Sequence, residues 1–368
     1  MATFCMQTLG CEVSAIHTVN YSKETHPQSL PCETNTRKSQ TKTFAGNHVA
    51  YKRFQGRKST PEEVASLYAG LQSAGLDAFD MMLSGYCPSA ALVREVGKIG
   101  RACRSRASAE PGSFFWVLDP VMGDNGRVYV DEDELPVYKS LLRDADLILP
   151  NQFEAELLSG VKITDLRSMH AAIETLHAEY KLPHILVTSI RLPASQSATP
   201  STLERDLSGA ATLSVVGSSC TAGGNRPRVF SITVPALPIF FSGTGDMFAA
   251  LMVARLQQEA AAAGLLGTES WQSPDEVAAE DLPLAKAAEK VLASMHVVLK
   301  DTAARYERQA ESLRFEGGKD GEDEETLRHL KLTKAAEVRV VKNAQALREP
   351  PVIDGFKAKG VRVESEES

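Results

Sequence analysis

The sequence predicts an α/β fold in which a mostly parallel central sheet carries helices on both faces. Two observations lead there. Short β-rich runs alternate with longer amphipathic stretches over most of the 368 residues, the pattern of strands joined by crossover helices. The runs DPVMGDNG (Asp119 to Gly126) and PNQFEAE (Pro150 to Glu156) follow directly after strand runs, and loops at the carboxyl ends of parallel strands are where such folds bind ligands. A hydrophobic fraction of 43% with 24% charged residues suits a large buried core, read here as one domain over residues 1–368.

The strand runs are Val13 to Val19, Phe79 to Leu83, Phe114 to Leu118, Leu147 to Leu149, His184 to Thr188, Thr212 to Val216 and Val229 to Thr233. Among the helical stretches, Thr60 to Gln72 opens with Thr60 as cap, Pro61 at the first helical position and Glu63 in the first turn. Asp131 to Arg143, Asp165 to Tyr180 and the long Leu284 to Leu313 repeat apolar residues at helical spacing. Lys23 to Gly46 is polar and aperiodic, so it reads as a disordered insertion. Pro193 to Gly209 and Ser218 to Arg228 read as loops, and Phe315 to Glu325 as an acidic linker.

Charge and cysteine usage narrow the function classes. A formal charge of -7 offers no general attraction for nucleic acid or an anionic membrane, so a phosphate ligand must be held by local groups. No apolar run is long enough to span a bilayer, and none follows a basic start. The six cysteines are scattered without metal-ligand spacing, which points to free thiols in a reducing, cytoplasmic setting.

Four segments carry chemistry. Phe241 to Ala250 reads FSGTGDMFAA. Its glycines let the backbone approach a ligand closely, and the helix that follows aims free amides at it, so an anion belongs there. Gly243, Thr244 and Gly245 would stabilise a phosphoryl group in transfer, and Asp246 could take a proton from an attacking hydroxyl. Amide donors around Asp246 would lower its pKa. Alone, the run also reads as a glycine turn capped by Asp246. Asp119 to Gly126, DPVMGDNG, follows a strand and offers Asp119 and Asp124 to a metal or phosphate, while Asn125 and Gly126 suit a turn. Pro150 to Glu156 makes Asn151 a helix cap, with Glu154 closing a capping box. Thr188 and Ser189 end a strand, where their hydroxyls could meet phosphate or cation or cap the loop.

DPVMGDNG, VYV (Val128 to Val130), LPVYK (Leu135 to Lys139), PNQFEAELLSG (Pro150 to Gly160), VTS (Val187 to Ser189) and GTGD (Gly243 to Asp246) together resemble the pyridoxal kinase family in order and spacing. SGY (Ser84 to Tyr86) and the stretch Ala2 to Ser22 are similar to it too. The resemblance implies a ribokinase-like three-layer sandwich. It implies transfer of the γ-phosphoryl of ATP to the 5′-hydroxyl of pyridoxal, pyridoxine or pyridoxamine in vitamin B6 salvage. Magnesium, a monovalent cation (K+ or Na+) and a homodimer are implied as well. By matching position, Asp246 is the general base and Gly243 to Gly245 the anion hole. Asp124 and Glu154 are the magnesium-side acids, directly or through water. Asn151, Thr188, Ser189 and Thr244 contact the nucleotide phosphates. Tyr129 lies on the loop over ATP, Leu237 and Phe241 lie beside the adenine, and Tyr86 lies against the pyridine ring. Asp119 and Thr188 belong to the monovalent-cation site, where Leu149 stands in place of a threonine.

Two departures accompany the resemblance. Family members begin with a strand and a substrate-binding loop ahead of the helix that this sequence opens on. Joining Ser22 to Asn47 gives YSNHVAYKRFQG, which resembles the substrate motif SNHTGY, with Val49 at the threonine. Weak or absent turnover is the expectation that follows. A hydroxymethylpyrimidine kinase of the same superfamily, or a non-catalytic nucleotide-binding protein, are the competing readings.

Overall fold

Strand residues alternate between two apolar layers, and that alternation organises the molecule. Phe115, Val117, Leu147, Leu149, Leu186, Val215, Phe230 and Ile232 are buried in one layer. Their neighbours Trp116, Leu118, Ile148, Ile185, Val187, Val216 and Val229 are buried in the other. A sheet apolar on both faces must be covered on both. The computed structural model describes residues 1–22, 55–107, 110–191, 212–222, 226–315, 322–351 and 353–361. The expected insertion at 23–46, the loop at 193–209 and Val49 lie outside the described residues.

In chain order the elements are α1 (Ala2–Thr8), β1 (Val19–Ser22), β2 (Gln55–Lys58), α2 (Pro61–Ser73), β3 (Met81–Ser84), α3 (Ala90–Ala107) and β4 (Phe115–Leu118). Next come β5 (Gly123–Asp124), β6 (Arg127–Val128), α4 (Glu134–Leu141), β7 (Leu147–Ile148), α5 (Gln152–Ser159), α6 (Leu166–Tyr180) and β8 (His184–Ile190). The chain continues through β9 (Thr212–Cys220), β10 (Pro227–Pro235), α7 (Thr244–Ala262), α8 (Pro283–Phe315), α9 (Glu322–Ala335), α10 (Ala344–Arg348) and β11 (Lys359–Gly360). The seven-stranded sheet has the order β11-β10-β9-β8-β7-β4-β3. Strands β3, β4, β7 and β8 pair in parallel. Strand β9 runs against both β8 and β10, so β10 points the same way as the parallel set. Helices α1, α7 and α8 bury their apolar residues in the first layer. Helices α2 to α6 bury theirs in the second, which gives the three-layer α/β fold expected.

Local signals placed several elements well. Thr60 accepts the Glu63 N–H at 3.2 Å while Glu63 accepts the Thr60 N–H at 3.1 Å, the expected capping box at the start of α2. Asp165 caps α6 in the same reciprocal way with Ser168.

Three expectations need correction. Residues 11–17 form no strand, and regular pairing begins only at Val19. Among the described residues no strand pairs with this segment, and the His17 carbonyl accepts from Ser59 Oγ at 2.7 Å instead. The loop expected from Ser218 shrinks, because β9 runs to Cys220 and β10 starts at Pro227. Ser218 and Ser219 tolerate burial by pairing with His177 at 2.9 Å and His184 at 2.7 Å. The acidic linker becomes helix from Glu322 onward, since glutamate is a strong helix former whatever its charge.

Candidate active site

Five strands deliver their C-terminal ends to one side of the sheet, and the chemistry-bearing loops collect there. The chain leaves β10, crosses the loop 236–242 and enters α7 at Gly243, whose φ of +93° is a left-handed conformation suited to glycine. Ser242 fixes this entry from the far end of the chain. Its N–H donates to the Ala336 carbonyl at 3.1 Å, and its carbonyl accepts from Val338 N–H at 3.3 Å. The opening amides of α7 therefore project from a loop bonded on its flank, ready for an anion.

Asp246 stands in the first turn of α7 and opens onto a cavity of about 470 Å³. Asp119, Tyr86, Ser84 and Tyr129 line the same cavity, as do the segment 13–19 and residues 81–87 from β3 onward. The expectation of a lowered Asp246 pKa is corrected: desolvation raises it, opposed by the Met1 amino group. Asp246 is exposed toward the cavity, and the protein packed around it weakens the hydration of its charge. Asp119 is pushed well above the usual carboxylate range by burial, then by the charges of Glu154 and Asp246.

The loop after β4 folds into the small β5–β6 hairpin. Asn125 and Gly126 occupy its turn with φ of +48° and +77°, as the Asn-Gly pair suggests. Gly123 is required by space: an added Cβ would strike the Arg127 carbonyl, and the Phe153 ring would lie 2.8 Å away. Asp124 turns its carboxylate to Asn125, accepting from its N–H at 2.7 Å and its Nδ2 at 2.8 Å. Tyr129, half-exposed beyond the hairpin, donates its N–H to the Met122 carbonyl at 2.9 Å. Its phenol is pushed up to about 12 by burial and by the Asp124 and Glu154 charges.

Glu154 ties this hairpin to α5. Its Oε1 accepts from the N–H groups of Met122 at 2.9 Å and Gly123 at 3.3 Å, and its Oε2 from Asn151 N–H at 2.9 Å. Burial raises its pKa to about 7 against the pull of those three amides. Asn151 is the predicted cap, accepting from Glu154 N–H at 2.9 Å, and its Nδ2 donates to the Gly123 carbonyl at 2.7 Å. Beside it, Thr188 bridges Asn151, and the register of β8 shifts between Val187 and Ile190. Ser189 takes a φ of +57° at that irregularity, so the strand end opens at Thr188 and Ser189.

A Schizosaccharomyces pombe pyridoxal kinase homologue is 33% identical over 304 residues, 83% of this chain and 80% of that protein. The chain belongs to the pyridoxal kinase family. Human pyridoxal kinase is 31% identical over 261 residues, 69% of this chain and 70% of that one. The pyridoxal kinase from Leishmania donovani in complex with ADP and pyridoxamine shares the fold, with a TM-score of 0.68 at 23% identity over 98% of this chain and 93% of that chain. The phosphomethylpyrimidine kinase family model matches residues 102–222.

In this pyridoxal kinase fold, the cavity gathers Asp246, Asp119, Tyr129 and Tyr86 of the residues singled out from sequence. Asn151, Glu154, Asp124 and Thr188 form the adjoining wall through the hairpin and the Asn151–Thr188 bridge. Leu237 and Phe241 do not line the cavity; Phe241 packs on the core. Leu149 is buried. Sequence reading missed Thr18, whose hydroxyl meets the Tyr86 carbonyl, and the 336–338 segment that braces Ser242. Neither contact leaves a local signal, since the partners are far apart in the chain.

Proposed function

We propose that this protein transfers the γ-phosphoryl group of ATP to the 5′-hydroxyl of pyridoxal, and likewise to pyridoxine and pyridoxamine. One observation carries the reading: Asp246, in the first turn of a helix whose amides face outward, shares a cavity with Tyr86. A base in the first turn of α7 and an aromatic wall thus border one chamber, with Gly243, Thr244 and Gly245 immediately ahead of that base. Asp246 accepts the proton of the attacking hydroxyl, and its raised pKa makes the ionised carboxylate a stronger base. The amides of Gly243 to Gly245 hold charge on the phosphoryl oxygens during transfer, with Thr244 beside them. Asn151, Thr188 and Ser189 border the nucleotide phosphates, Tyr129 covers them, and Leu237 and Phe241 flank the base.

The donor set fits a magnesium ion. Burial raises the pKa of Asp119 first, and the charges of Glu154 and Asp246 add to it, an elevation that a nearby cation would relieve. Among the described residues no group of three acids, histidines or cysteines gathers, and magnesium held largely by phosphate and water needs only one or two carboxylates. Asp124 and Glu154, whose carboxylate oxygens already accept hydrogen bonds from Asn125 and from the Met122, Gly123 and Asn151 amides, would hold it directly or through water. The ion would neutralise phosphate charge when bound. Asp119 and Thr188 would hold the monovalent cation. A cytoplasmic homodimer completes the reading, in keeping with Cys5, Cys11, Cys87, Cys103 and Cys220 being free thiols.

The match of the phosphomethylpyrimidine kinase model over 102–222 favours a second acceptor, hydroxymethylpyrimidine. Steady-state kinetics of the purified chain with both acceptors decides between them. Asp246→Asn is expected to lower kcat on pyridoxal by about 10²–10⁴-fold while ATP binding persists. Unchanged turnover would remove Asp246 as base, and ATP binding without turnover in the parent would make the protein a non-catalytic binder.

A further inference from the structure

Two walls of the cavity come from parts of the chain with no strand pairing between them: the segment 13–19 and the stretch 81–87. They are joined at Thr18, whose Oγ1 donates to the Tyr86 carbonyl at 2.8 Å across 68 residues. Thr18 is itself pinned from behind. Its carbonyl accepts from Ser59 N–H at 2.9 Å, and the adjacent His17 carbonyl accepts from Ser59 Oγ at 2.7 Å. Lys58 Nζ reaches the Pro88 carbonyl at 3.4 Å, a second tie from the base of the β1–β2 ribbon to the loop that carries Tyr86.

We propose that Thr18 is a positioning residue for the acceptor half of the site, acting through Tyr86. The proposal rests on the reading above, in which Tyr86 flanks the pyridine ring. Thr18 has a fixed anchor on the ribbon and a hydroxyl that reaches across the cavity lining, so it sets how far the Tyr86 backbone stands from the ribbon base. Tyr86 follows the last paired residue of β3, Ser84, so sheet pairing does not set its position. Small displacements of a group that aligns a substrate are costly in rate or affinity. The nucleotide side is built separately, from the β5–β6 hairpin, α5 and the start of α7.

The test compares the full chain with Thr18→Val, which keeps the side-chain shape and loses the donor, and with Thr18→Ser, which keeps the donor. Thr18→Val is expected to raise KM for pyridoxal about three- to tenfold, the range for losing one neutral hydrogen bond. KM for ATP and kcat should stay within about twofold, and Thr18→Ser should restore the parent value. Equilibrium binding of pyridoxal, followed by its absorbance, should weaken in step. An unchanged pyridoxal KM in Thr18→Val, a Thr18→Ser variant as impaired as Thr18→Val, or a parallel loss on the ATP side would each overturn the proposal. A parent chain that neither phosphorylates nor binds pyridoxal refutes the reading of the whole site and this proposal with it. A competent parent with an indifferent Thr18→Val refutes this proposal alone.

Discussion

Asn151 Nδ2 donates to the Gly123 carbonyl at 2.7 Å, so the loop after β7 and the hairpin after β4 are built as one piece. Glu154 repeats the link from its own side by accepting from Met122 and Gly123. The wall proposed to face the nucleotide is thereby braced by two side chains at the start of one helix.

Removing Asn151 should therefore damage more than a helix cap. Asn151→Ala loses the cap, worth about 1 kcal/mol, and the tie to Gly123, worth about as much again. Chemical denaturation should show a loss of roughly 2 kcal/mol. Asn151→Ser, which can still cap but cannot reach Gly123, should lose about half of that. Equal losses in the two variants would mean that the Gly123 link adds nothing to stability.

Two glycines in the site make opposite predictions. A Cβ on Gly123 would strike the Arg127 carbonyl, which is backbone and cannot step aside, so Gly123→Ala should destabilise by about 1–3 kcal/mol, the range for overpacking. A Cβ on Gly245 meets no atom within 4 Å, and alanine is the better helix former by up to about 1 kcal/mol. Gly245→Ala should keep or raise the melting temperature and, if the α7 amides hold the phosphoryl group as proposed, lower kcat, because the added methyl group would crowd its approach. Calorimetry and turnover on the same two samples separate fold from chemistry.

What could be read in the sequence was local. Thr60 with Glu63, Asn151 with Glu154, and the Asn125-Gly126 turn each need only neighbours within a few residues, and each stands as expected. Ser218 and Ser219 were misread because their partners, His177 and His184, lie 41 and 35 residues away. Val13 to Val19 carries the β-branched residues Val13, Ile16, Thr18 and Val19 that suit a strand, yet strandness depends on a neighbour that no short window contains. The Asp246 pKa followed the same rule. Nearby amides argued for a lowered value, and the surrounding protein mass, invisible in sequence, reverses it.

Glu134 offers a pH test away from the site. Its side chain is buried at the start of α4, with Oε2 lacking a hydrogen-bond partner among the described residues. Burial lifts its pKa to about 7, aided by Asp131 and Asp133 and opposed by Lys58 and the Asp131 backbone bond. The folded state thus holds a proton that the unfolded chain releases near 4.5. Its contribution is fully present below pH 4.5 and is lost as pH rises through 7, by roughly 2–3 kcal/mol. Glu134→Gln should flatten stability against pH in that window and exceed the parent at pH 8. Superimposable curves for parent and variant would dismiss the effect.

His177 should act over a lower window and in the opposite direction. Its Nδ1 lies 2.6 Å from the Leu182 carbonyl, which can only accept, so Nδ1 carries the proton and Nε2 accepts from Ser218 Oγ at 2.9 Å. A neutral ring satisfies both contacts, and burial accordingly lowers its pKa to about 4, with the nearby His184 adding to the effect. Between pH 6.5 and 4 the unfolded chain takes up a proton that the folded ring refuses. The stability from this group is therefore whole above 6.5 and falls as pH drops to 4. His177→Gln should remove that part of the acid slope in urea titrations. Ser218→Ala, which leaves a buried ring nitrogen unpaired, should cost about 1–3 kcal/mol at pH 7. An acid slope that survives intact in His177→Gln would assign it instead to other groups, with His184, also depressed by burial, the first to test.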